Sequence, residues 1–600
     1  MICMADNENN PEELSRLAET MVEVGVQGQR MMAEFLARHT ERMAAEGVDP
    51  LDLGGAFGKF AAQMMSAPER LIAAELALFD QQMALWRYAF ERFAGKEAPP
   101  VAAPAAGDRR FRDAAWQELV AFDFIKQSYL LAAKWLMQVV RETEGLDDQT
   151  AKKVDFYTRQ FVDAVSPANF LLTNPEALRT TMESGGRNLL QGVRHIIEDL
   201  EQGGGDLKIR MTDDKAFRVG ENLATAPGAV VFQNRLMQLI QYAPTTEQVH
   251  KHPLVIVPPW INKYYILDLK PENSLIRWAV AQGYTVFVIS WVNPDASHAE
   301  ITFGDYMHEG ILAALDAIER AIGEKEVMAL GYCIGGTLLA TTLAYMAATD
   351  DRRIRAATFL ASQVDFTEAG ELQIMIDDAS LDYIEDLMSK KGYLDGGQMS
   401  GTFNMLRAND LIWSFVVNNY LLGKEPPPFD LLYWNSDSTR MPAEMHRFYL
   451  RAMYKQNKLV EPGGIALSNV PIDLRRITVP CYVQAAKEDH IAPARSVYKI
   501  VHLLQGPVRF VLAGSGHVAG AINPPAQKKY QHWVGAAGKF PLAVEEWLAA
   551  AKEVPGSWWP DWERWMARRA GAMVAARQPG AGALPAIEPA PGSYVKVRVA

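Results

Sequence analysis

The sequence predicts an α/β fold preceded by an all-helical N-terminal region, and three observations lead to this prediction. After residue 216, short apolar runs rich in β-branched residues alternate with helical patterns, which is typical of a parallel sheet covered by helices on both faces. Before that point, apolar residues such as Leu71, Leu78 and Leu85 recur at helical spacing. The third observation is a sharp, glycine-flanked turn at Cys333, between a strand-like run and a helix-forming run.

Residues 1–107 are predicted to form a helical extension that ends in a Pro/Ala-rich linker. This region contains two rows of large apolar residues, and within each row the members are seven residues apart. One is the leucine row named above, and the other consists of Ile72, Phe79 and Trp86. Together the rows make one wide apolar stripe. Such a stripe either packs within a helix bundle or adsorbs to a partner or an apolar particle. A second helical domain is predicted over residues 108–215, and the sheet domain over residues 216–600.

The strands of the sheet domain are predicted from apolar runs, of which the first two suggest a hairpin. Helical patterns fall between the later runs. The alternation stops at residues 362–474, where a segment rich in Met, Trp, Tyr and Asp predicts an insertion. The predicted strands are 229–232, 236–242, 253–258, 284–291, 327–330, 356–360, 479–484 and 508–512.

Cys333 lies at the apex of the turn Gly331-Tyr-Cys-Ile-Gly-Gly. Glycines two residues before and after the apex let the neighbouring backbones approach closely, and the following helix N-terminus favours a thiolate. This is the nucleophile-elbow pattern of α/β-hydrolases with Cys in place of Ser. The alternative is a buried, inert cysteine beside glycines that serve strand–helix packing. In an α/β-hydrolase fold, an insertion at residues 362–474 would form a cap over the active site.

A nucleophile needs a base, and the base needs an acid that orients it. In this fold the acid and the histidine follow the nucleophile in that order, in loops after later strands. Asp489 follows the predicted strand 479–484, and His517 follows the strand 508–512. His490 is the alternative base and otherwise a second-shell group. Asp365 and Glu488 are alternative acids.

The reaction also requires two backbone donors for an oxyanion. One is expected to be the N–H of Ile334, directly after the nucleophile. The other is expected in residues 258–265, after the strand 253–258, which we call the oxyanion loop. Pro258 and Pro259 have no N–H to offer. The N–H of Ile261 is the first candidate and that of Trp260 the second.

Composition excludes several classes of function. The net charge of −12, without a dedicated basic face, argues against a nucleic-acid-binding protein. The cysteines Cys3, Cys333 and Cys481 provide neither a disulfide framework nor metal-ligand spacing, so no metal is expected. The first residues carry no signal-peptide pattern, and no apolar run reaches transmembrane length. We therefore expect a cytoplasmic protein without a transmembrane segment.

Several motifs together resemble one family, the polyhydroxyalkanoate synthases. The turn at Cys333 is similar to that family's cysteine-containing lipase box, and the single chain length is similar to class I members. Trp413 resembles a family position near the mobile cap. The other motifs are Pro258-Pro-Trp-Ile-Asn-Lys-Tyr-Tyr, Ser290-Trp-Val-Asn-Pro-Asp, Glu488-Asp-His-Ile, Gly514-Ser-Gly-His-Val-Ala-Gly, Gly556-Ser-Trp-Trp-Pro-Asp and, more weakly, Asp108-Arg-Arg-Phe with Trp116.

The resemblance implies polymerisation of (R)-3-hydroxyacyl-CoA, with 3-hydroxybutyryl-CoA favoured, into a polyester with release of CoA. The acyl group would rest on Cys333 as a thioester, with His517 taking the thiol proton. Asp489 would either orient His517 or act on the incoming hydroxyl. Coenzyme A would be the carrier of the substrate, with no separate cofactor. Expected partners are the growing polyester chain, the granule surface and a second copy of the chain in a homodimer.

Two other functions stay open at this point. The same three residues could serve an acyl-CoA thioesterase, which would release the free acid by using water as the acceptor. The apolar N-terminal helices could also belong to a non-catalytic granule-associated protein. Product identity and the effect of removing Cys333 distinguish these possibilities.

Overall fold

The computed structural model of the chain describes residues 49, 51–536 and 538–598. These residues divide into two compact units. The first contains the described residues up to Asp213 together with Thr402–Pro427, and the second contains Asp214–Gly401 and the described residues from Pro428 onward. The predicted insertion at 362–474 is thus shared between the two units. The predicted domain boundaries, and the part of the helical prediction before residue 49, lie outside what the structure tests.

The first unit is built from helices. Asp147 and Asn174 cap two of them, because each side chain accepts a hydrogen bond from the backbone N–H three residues later. The α-helices of this unit are Leu53–Ser66, Pro68–Phe93, Ala115–Glu118, Val120–Glu142, Asp148–Ala164, Pro175–Ser184 and Arg187–Gln202, with a 3-10 turn at Pro167–Asn169 and π-helical turns at Asn409–Trp413 and Val416–Leu421.

The helix Pro68–Phe93 carries two apolar rows with different environments. On one side Leu85 is fully buried and packs with Tyr88 and Leu131, so the leucine side belongs to the helix bundle. On the other side seven large apolar side chains, spaced alternately four and three residues apart, are exposed in the described structure. We call this set the exposed stripe: Ile72, Leu76, Phe79, Met83, Trp86, Phe90 and Phe93.

The segment Thr402–Pro427 is attached to the helices of the first unit by polar side chains. The hydroxyl of Tyr420 donates to the buried carboxylate of Asp199 at 2.7 Å. The amide of Asn188 donates to the carbonyl of Leu421 at 2.7 Å. This part of the predicted insertion is therefore integrated into the helical unit.

The second unit contains an eleven-stranded sheet. Its strands in chain order are β1 (Gly228–Gln233), β2 (Met237–Tyr242), β3 (Leu254–Val257), β4 (Val286–Trp291), β5 (Val327–Tyr332), β6 (Ile354–Leu360), β7 (Cys481–Ala486), β8 (Val508–Ala513), β9 (Gln531–Val534), β10 (Lys552–Pro555) and β11 (Glu588–Pro589). Their spatial order is β10-β9-β8-β7-β6-β5-β3-β4-β2-β1-β11.

All eight predicted strands are present, and β1 and β2 form the predicted hairpin. The six central strands from β4 to β8 in spatial order are mutually parallel. Antiparallel strands flank them on both sides. The last three strands of the sheet, β9 to β11, were not predicted. Two of them, β10 and β11, are short, carry charged residues and end in proline, a pattern confined to sheet edges.

Helices cover both faces of the sheet, as the buried apolar strands predict. The α-helices of the second unit include Leu275–Ala281, Phe303–Asp305, Ala313–Ile322, Ile334–Ala348, Asp378–Lys391, Gly396–Leu406 (which continues into the first unit), Asp430–Ser436, Ala443–Phe448, Ala494–Tyr498, His517–Ala521, Val544–Ala550 and Trp559–Ala567. The π-helices are Tyr306–Leu312 and Tyr449–Lys455. The 3-10 turns are Asp214–Ala216, Tyr264–Leu267, Ala296–His298, Gly370–Met375, Lys458–Val460, Leu474–Arg476, Lys499–His502, Pro525–Gln527 and Tyr594–Lys596.

Short two-stranded pairings complete the second unit. They are Gln248–His250 with Met573–Ala575, Asp268–Lys270 with Asn273–Ser274, Tyr393–Leu394 with Met441–Pro442, and Ala466–Leu467 with Val470–Pro471.

Candidate active site

Cys333 lies between β5 and the helix Ile334–Ala348, at the carboxyl edge of the parallel strands. Its backbone has φ 53° and ψ −127°, a conformation that non-glycine residues rarely adopt. Its N–H donates to the carbonyl of Leu360 at the end of β6, at 2.9 Å. Backbone strain of this kind costs about 1–3 kcal/mol and persists where the surroundings enforce it, as they do at a nucleophile elbow.

The glycines of the turn allow this backbone to pack. A Cβ on Gly331 would lie 2.4 Å from the Cα of Gly336. A Cβ on Gly335 would lie 2.2 Å from the carbonyl oxygen of Val257, and one on Gly336 would lie 1.9 Å from the Oγ of Ser362. Real Cβ atoms do not tolerate such contacts. The elbow is therefore pressed against the ends of β3 and β6, as the spacing of the glycines predicts.

Asp489 and His517 meet in the loops after β7 and β8. The Nδ1 atom of His517 lies 2.7 Å from Oδ2 of Asp489. The other carboxylate oxygen, Oδ1, accepts hydrogen bonds from the backbone N–H groups of Ile491 at 2.9 Å and Ala492 at 2.8 Å. Both oxygens of a carboxylate whose side chain is fully buried are thus engaged.

The charge around His517 favours its protonated form. Burial lowers the pKa of the imidazole, but the carboxylate of Asp489 and the sulfur of Cys333 raise it, and the net pKa is well above its usual value of 6.5. Because Nδ1 is occupied by Asp489, Nε2 is the nitrogen left to accept a proton. The ring of Tyr332 stacks on the imidazole at 5.5 Å between centroids, and its hydroxyl lies 3.4 Å from the carbonyl oxygen of His517.

The alternative acids have other positions. Oδ1 of Asp365 accepts from the backbone and side chain of Thr367 and lies 3.2 Å from the amide nitrogen of Asn457, so that carboxylate organises a loop. Glu488 is exposed. His490 follows Asp489 directly and is half-buried. Its second-shell role stays a prediction.

The oxyanion loop lies against the elbow, since Gly335 packs on the carbonyls of Val257 and Pro258. Ile334 begins its helix, so its N–H has no carbonyl one turn earlier to bond. Ile261 is half-buried, and Trp260 beside it is buried. The identity of the two donors stays a prediction.

Two tyrosines of the insertion, Tyr449 and Tyr454, were not predicted as site residues. Both are near enough to Cys333 for its charge to contribute to their pKa values, which burial raises well above the usual value of 10. They pack with Phe366, and the ring centroids of the two tyrosines are 5.4 Å apart. They lie five residues apart on the π-helix Tyr449–Lys455. Residues at this spacing do not share a face of an α-helix, so helical periodicity gives no signal for the pair.

Trp413 ends the π-helical turn Asn409–Trp413 and is half-buried. It belongs to the first compact unit, whereas Cys333 belongs to the second. Its predicted role in the cap is not tested by the structure.

Among the described residues, one cluster has the spacing of a metal site: His252, Glu324 and Glu326. These residues precede β3 and β5, at the edge of the sheet opposite Cys333. Arg355 pairs with Glu326 at 2.8 Å, and Arg577 lies 3.9 Å from Glu324. Two arginines therefore already balance the carboxylates of this cluster.

Comparison with known proteins identifies the family and the fold of the chain. A family model of the N-terminus of poly-beta-hydroxybutyrate polymerase (PhaC) matches residues 107–279, and a model of the alpha/beta hydrolase fold matches residues 253–524. The chain is 53% identical over 534 residues to a poly(3-hydroxyalkanoate) polymerase of Methylorubrum extorquens, which covers 88% of this chain and 87% of that protein. The chain belongs to this polymerase family.

Two further relatives extend the match over almost the whole length of the chain. The poly(3-hydroxyalkanoate) polymerase subunit PhaC of Rhizobium meliloti is 48% identical over 98% of this chain and 96% of its own. The corresponding protein of Cupriavidus necator is 43% identical over 92% of both chains. The resemblance to class I polyhydroxyalkanoate synthases is thereby confirmed, and with it the α/β-hydrolase fold and the assignment as an acyltransferase. Of the described helices, none combines the length and the apolar character needed to cross a bilayer.

Replacing Asp489 by Asn in this polymerase is expected to reduce turnover about 10³- to 10⁴-fold, because His517 loses the carboxylate that orients and charges it. The wild-type pair stabilises the folded protein below the ordinary histidine pKa of 6.5, and this contribution is lost as the pH rises through the raised pKa of His517. The variant should therefore lower Tm most near about pH 6 and least in alkaline buffer.

Thermal unfolding over a pH series measures this dependence, with Asp365→Asn as the control. Asp365 is a neighbouring carboxylate that bonds a loop rather than a histidine, so its loss should carry no such pH dependence. An equal change in Tm at every pH for Asp489→Asn would contradict the raised pKa of His517.

Replacing Gly336 by Ala is expected to disable the elbow, because the added Cβ overlaps Ser362. A second change, Ser362→Gly, removes both the Oγ and the Cβ that the alanine meets, at 1.9 and 2.5 Å. We expect Gly336→Ala to lower Tm and turnover, and the double variant to recover part of both. If Ser362→Gly gives no recovery, the close packing between the elbow and the end of β6 is not the cause of the loss.

Proposed function

We propose that this polymerase converts (R)-3-hydroxyacyl-CoA, with 3-hydroxybutyryl-CoA as the favoured substrate, into polyester through an acyl thioester on Cys333. The observation that carries the proposal is the arrangement of the candidate site. A strained cysteine lies at a nucleophile elbow, within the electrostatic reach of a histidine that a buried aspartate orients. Coenzyme A is the carrier of the substrate and a product, and no separate cofactor enters the proposal.

Before the first step the thiol proton of Cys333 passes to Nε2 of His517, whose raised pKa holds it there, and the resulting thiolate then attacks the thioester carbonyl. The bond between the carbonyl carbon and the sulfur of CoA breaks. The departing CoA thiolate takes the proton from His517, so protons balance over the step. One thioester is exchanged for another, so the step is close to balanced in free energy, and the backbone donors of Ile334 and Ile261 would stabilise the tetrahedral oxyanion.

In the second step a hydroxyl of another 3-hydroxyacyl unit attacks the acyl group on Cys333. An ester bond forms, the Cys333 sulfur departs as a thiolate, and the hydroxyl proton passes to the base. Both oxygens of Asp489 are already engaged, one by His517 and one by two backbone N–H groups. This favours His517 as the base, with Asp489 as the residue that orients it.

The acceptor decides between polymer and free acid. Water would turn the same acyl-enzyme into a thioesterase intermediate. Buried Phe366 and Tyr449 pack with half-buried Tyr454, and the two tyrosines are near Cys333; this cluster supports an apolar enclosure that keeps water away from the thioester.

Incubation with 3-hydroxybutyryl-CoA should yield insoluble polymer and place an acyl mass on the peptide that contains Cys333. Cys333→Ala should abolish both, with a loss of turnover of about 10⁴-fold or more. Cys481 is a matched internal control, because burial in β7 raises the pKa of its thiol to about 12 and it should stay unmodified. Accumulation of free acid alone would favour a thioesterase, and full activity of Cys333→Ala would overturn the assignment of Cys333 as the nucleophile.

We also propose that the protein acts at polyester granules in the cytoplasm, as a homodimer. The exposed stripe supports attachment to an apolar surface, since its seven large side chains are 45–72% exposed and, among the described residues, only Trp86 also packs on a ring outside the stripe, that of Phe124. On the same helix, Leu85 of the leucine row is buried in the bundle and Leu78 packs against the same cluster. The two rows together supply both attachment to the protein and a free apolar face.

Replacing Phe79, Phe90 and Phe93 by Gln is expected to lower the fraction of protein that sediments with polyester granules several-fold, because it removes apolar area from the exposed stripe. Turnover of soluble 3-hydroxybutyryl-CoA should change less than twofold. A control variant with Leu172→Gln and Met182→Gln alters two exposed apolar side chains outside the stripe. Equal sedimentation of the stripe variant and the control would show that the exposed stripe does not contribute to granule attachment.

A further inference from the structure

A short segment of the insertion, residues 434–439, runs alongside the oxyanion loop, and we call it the latch segment. Ser438 forms an antiparallel bridge with Asn262. The hydroxyl of Thr439 donates to the carbonyl of Trp260 at 2.6 Å. The indole N–H of Trp434 donates to the carbonyl of Lys263 at 2.8 Å. The latch segment therefore contacts the loop on both sides of Ile261.

A buried ion pair reinforces these contacts. Nζ of Lys263 lies 2.6 Å from Oδ1 of Asp437, and the two side chains are only 4% and 1% exposed. The hydroxyl of Tyr265 donates to Oδ2 of the same carboxylate at 2.9 Å. The guanidinium of Arg598, near the C-terminus, lies 3.6 Å from Oδ1. Removing one partner of such a pair leaves an uncompensated buried charge, so the pair fixes the loop and the latch segment relative to each other.

The loop has little internal support of its own. It begins with Pro258 and Pro259, which have no N–H for a ladder, and regular structure resumes only at the 3-10 turn Tyr264–Leu267. At its start the carbonyl of Pro258 accepts from the indole of Trp291 at 2.9 Å. Beyond that point the ring of Trp260 packs against other elements of the second unit, while the carbonyls of Trp260 and Lys263 accept hydrogen bonds from the latch segment.

We propose that Lys263 and Asp437 are positioning residues, which hold the oxyanion loop so that its backbone donor meets the charge that develops on the thioester oxygen. The proposal rests on the acyl-Cys333 chemistry proposed above and extends it to the insertion. A donor that is displaced by a fraction of an ångström loses much of its value, because an oxyanion hole acts through preorganised geometry. The latch segment thus positions the oxyanion loop for acylation, in addition to belonging to the predicted cap.

The test is the rate of Cys333 acylation by 3-hydroxybutyryl-CoA in Asp437→Asn, measured by rapid quench and mass spectrometry on the full chain. We expect this rate to fall about 10- to 100-fold, because removal of one oxyanion donor costs about 10²- to 10³-fold and the loop is displaced rather than deleted. The half-saturating substrate concentration should change less than about twofold, since the oxyanion forms only in the transition state.

Alkylation of Cys333 by iodoacetamide separates positioning from general damage, because that reaction needs the thiolate but develops no oxyanion. We expect its rate and pH profile in Asp437→Asn to match the wild type within about twofold. Asp561→Asn is a matched control. Like Asp437, Asp561 accepts a hydrogen bond from a tyrosine, Tyr482 at 3.0 Å, and pairs with a cation, Arg509 at 2.6 Å. These two partners lie on the strands β7 and β8 and not on the oxyanion loop. The control variant should lower Tm comparably while leaving acylation unchanged.

Thr439→Val is the second variant, since it loosens the loop at Trp260 without leaving a buried charge. It should slow acylation about 3- to 10-fold, again with little change in the half-saturating substrate concentration or in the rate of alkylation. This variant keeps the proposal testable if Asp437→Asn does not fold. Wild-type acylation rates in both variants, or equal losses of acylation and alkylation, would overturn the proposal. Failure of the wild-type protein to acylate Cys333 would instead overturn the proposed function.

Discussion

The backbone of Cys333 is the constraint on which the rest of the site depends. A positive φ at a residue with a side chain is held only because β5, the following helix and the ends of two neighbouring strands leave the chain no relaxed alternative. Three glycines remove the atoms that would prevent this approach. Gly335 also lets the oxyanion loop pack on the elbow, so the strained backbone of Cys333 and the start of that loop are positioned together. Asp489 and His517 then need only the ordinary ends of adjacent parallel strands to reach it.

The parts of the site that follow from local rules could be predicted from the sequence. Glycine spacing identifies the turn at Cys333, and apolar runs that end in polar residues identify Asp489 and His517. Tyr449 and Tyr454 could not be predicted, since they share a face only because their helix widens to a π-helix. The position of residues 402–427 in the helical unit could not be predicted from the sequence either. It depends on polar partners such as Asp199, more than 200 residues earlier in the chain, which no local pattern reports.

The helix Pro68–Phe93 illustrates a different limit of sequence reasoning. Its two apolar rows have the same period and similar hydrophobicity, so the pattern predicts one wide face. In the structure Leu85 is buried and Leu71 and Leu78 are half-buried, whereas the row with Phe79 is exposed. The difference comes from the position of the neighbouring helix Val120–Glu142, which supplies Leu131 on one side. Periodicity predicts that a surface is apolar, whereas only tertiary structure decides which part of it is covered.

The distribution of anchors along the insertion limits how the site can admit a substrate. Ser362 is packed against the elbow, residues 402–427 belong to the helical unit, and residues 434–439 are tied to the oxyanion loop. A rigid rotation of the whole insertion about one hinge would break all three attachments at once. The available degrees of freedom lie in the spans between them, such as the helix Gly396–Leu406, of which Gly396 is the one buried residue. A conformational change of the insertion that keeps these three attachments would therefore be confined to the spans between them.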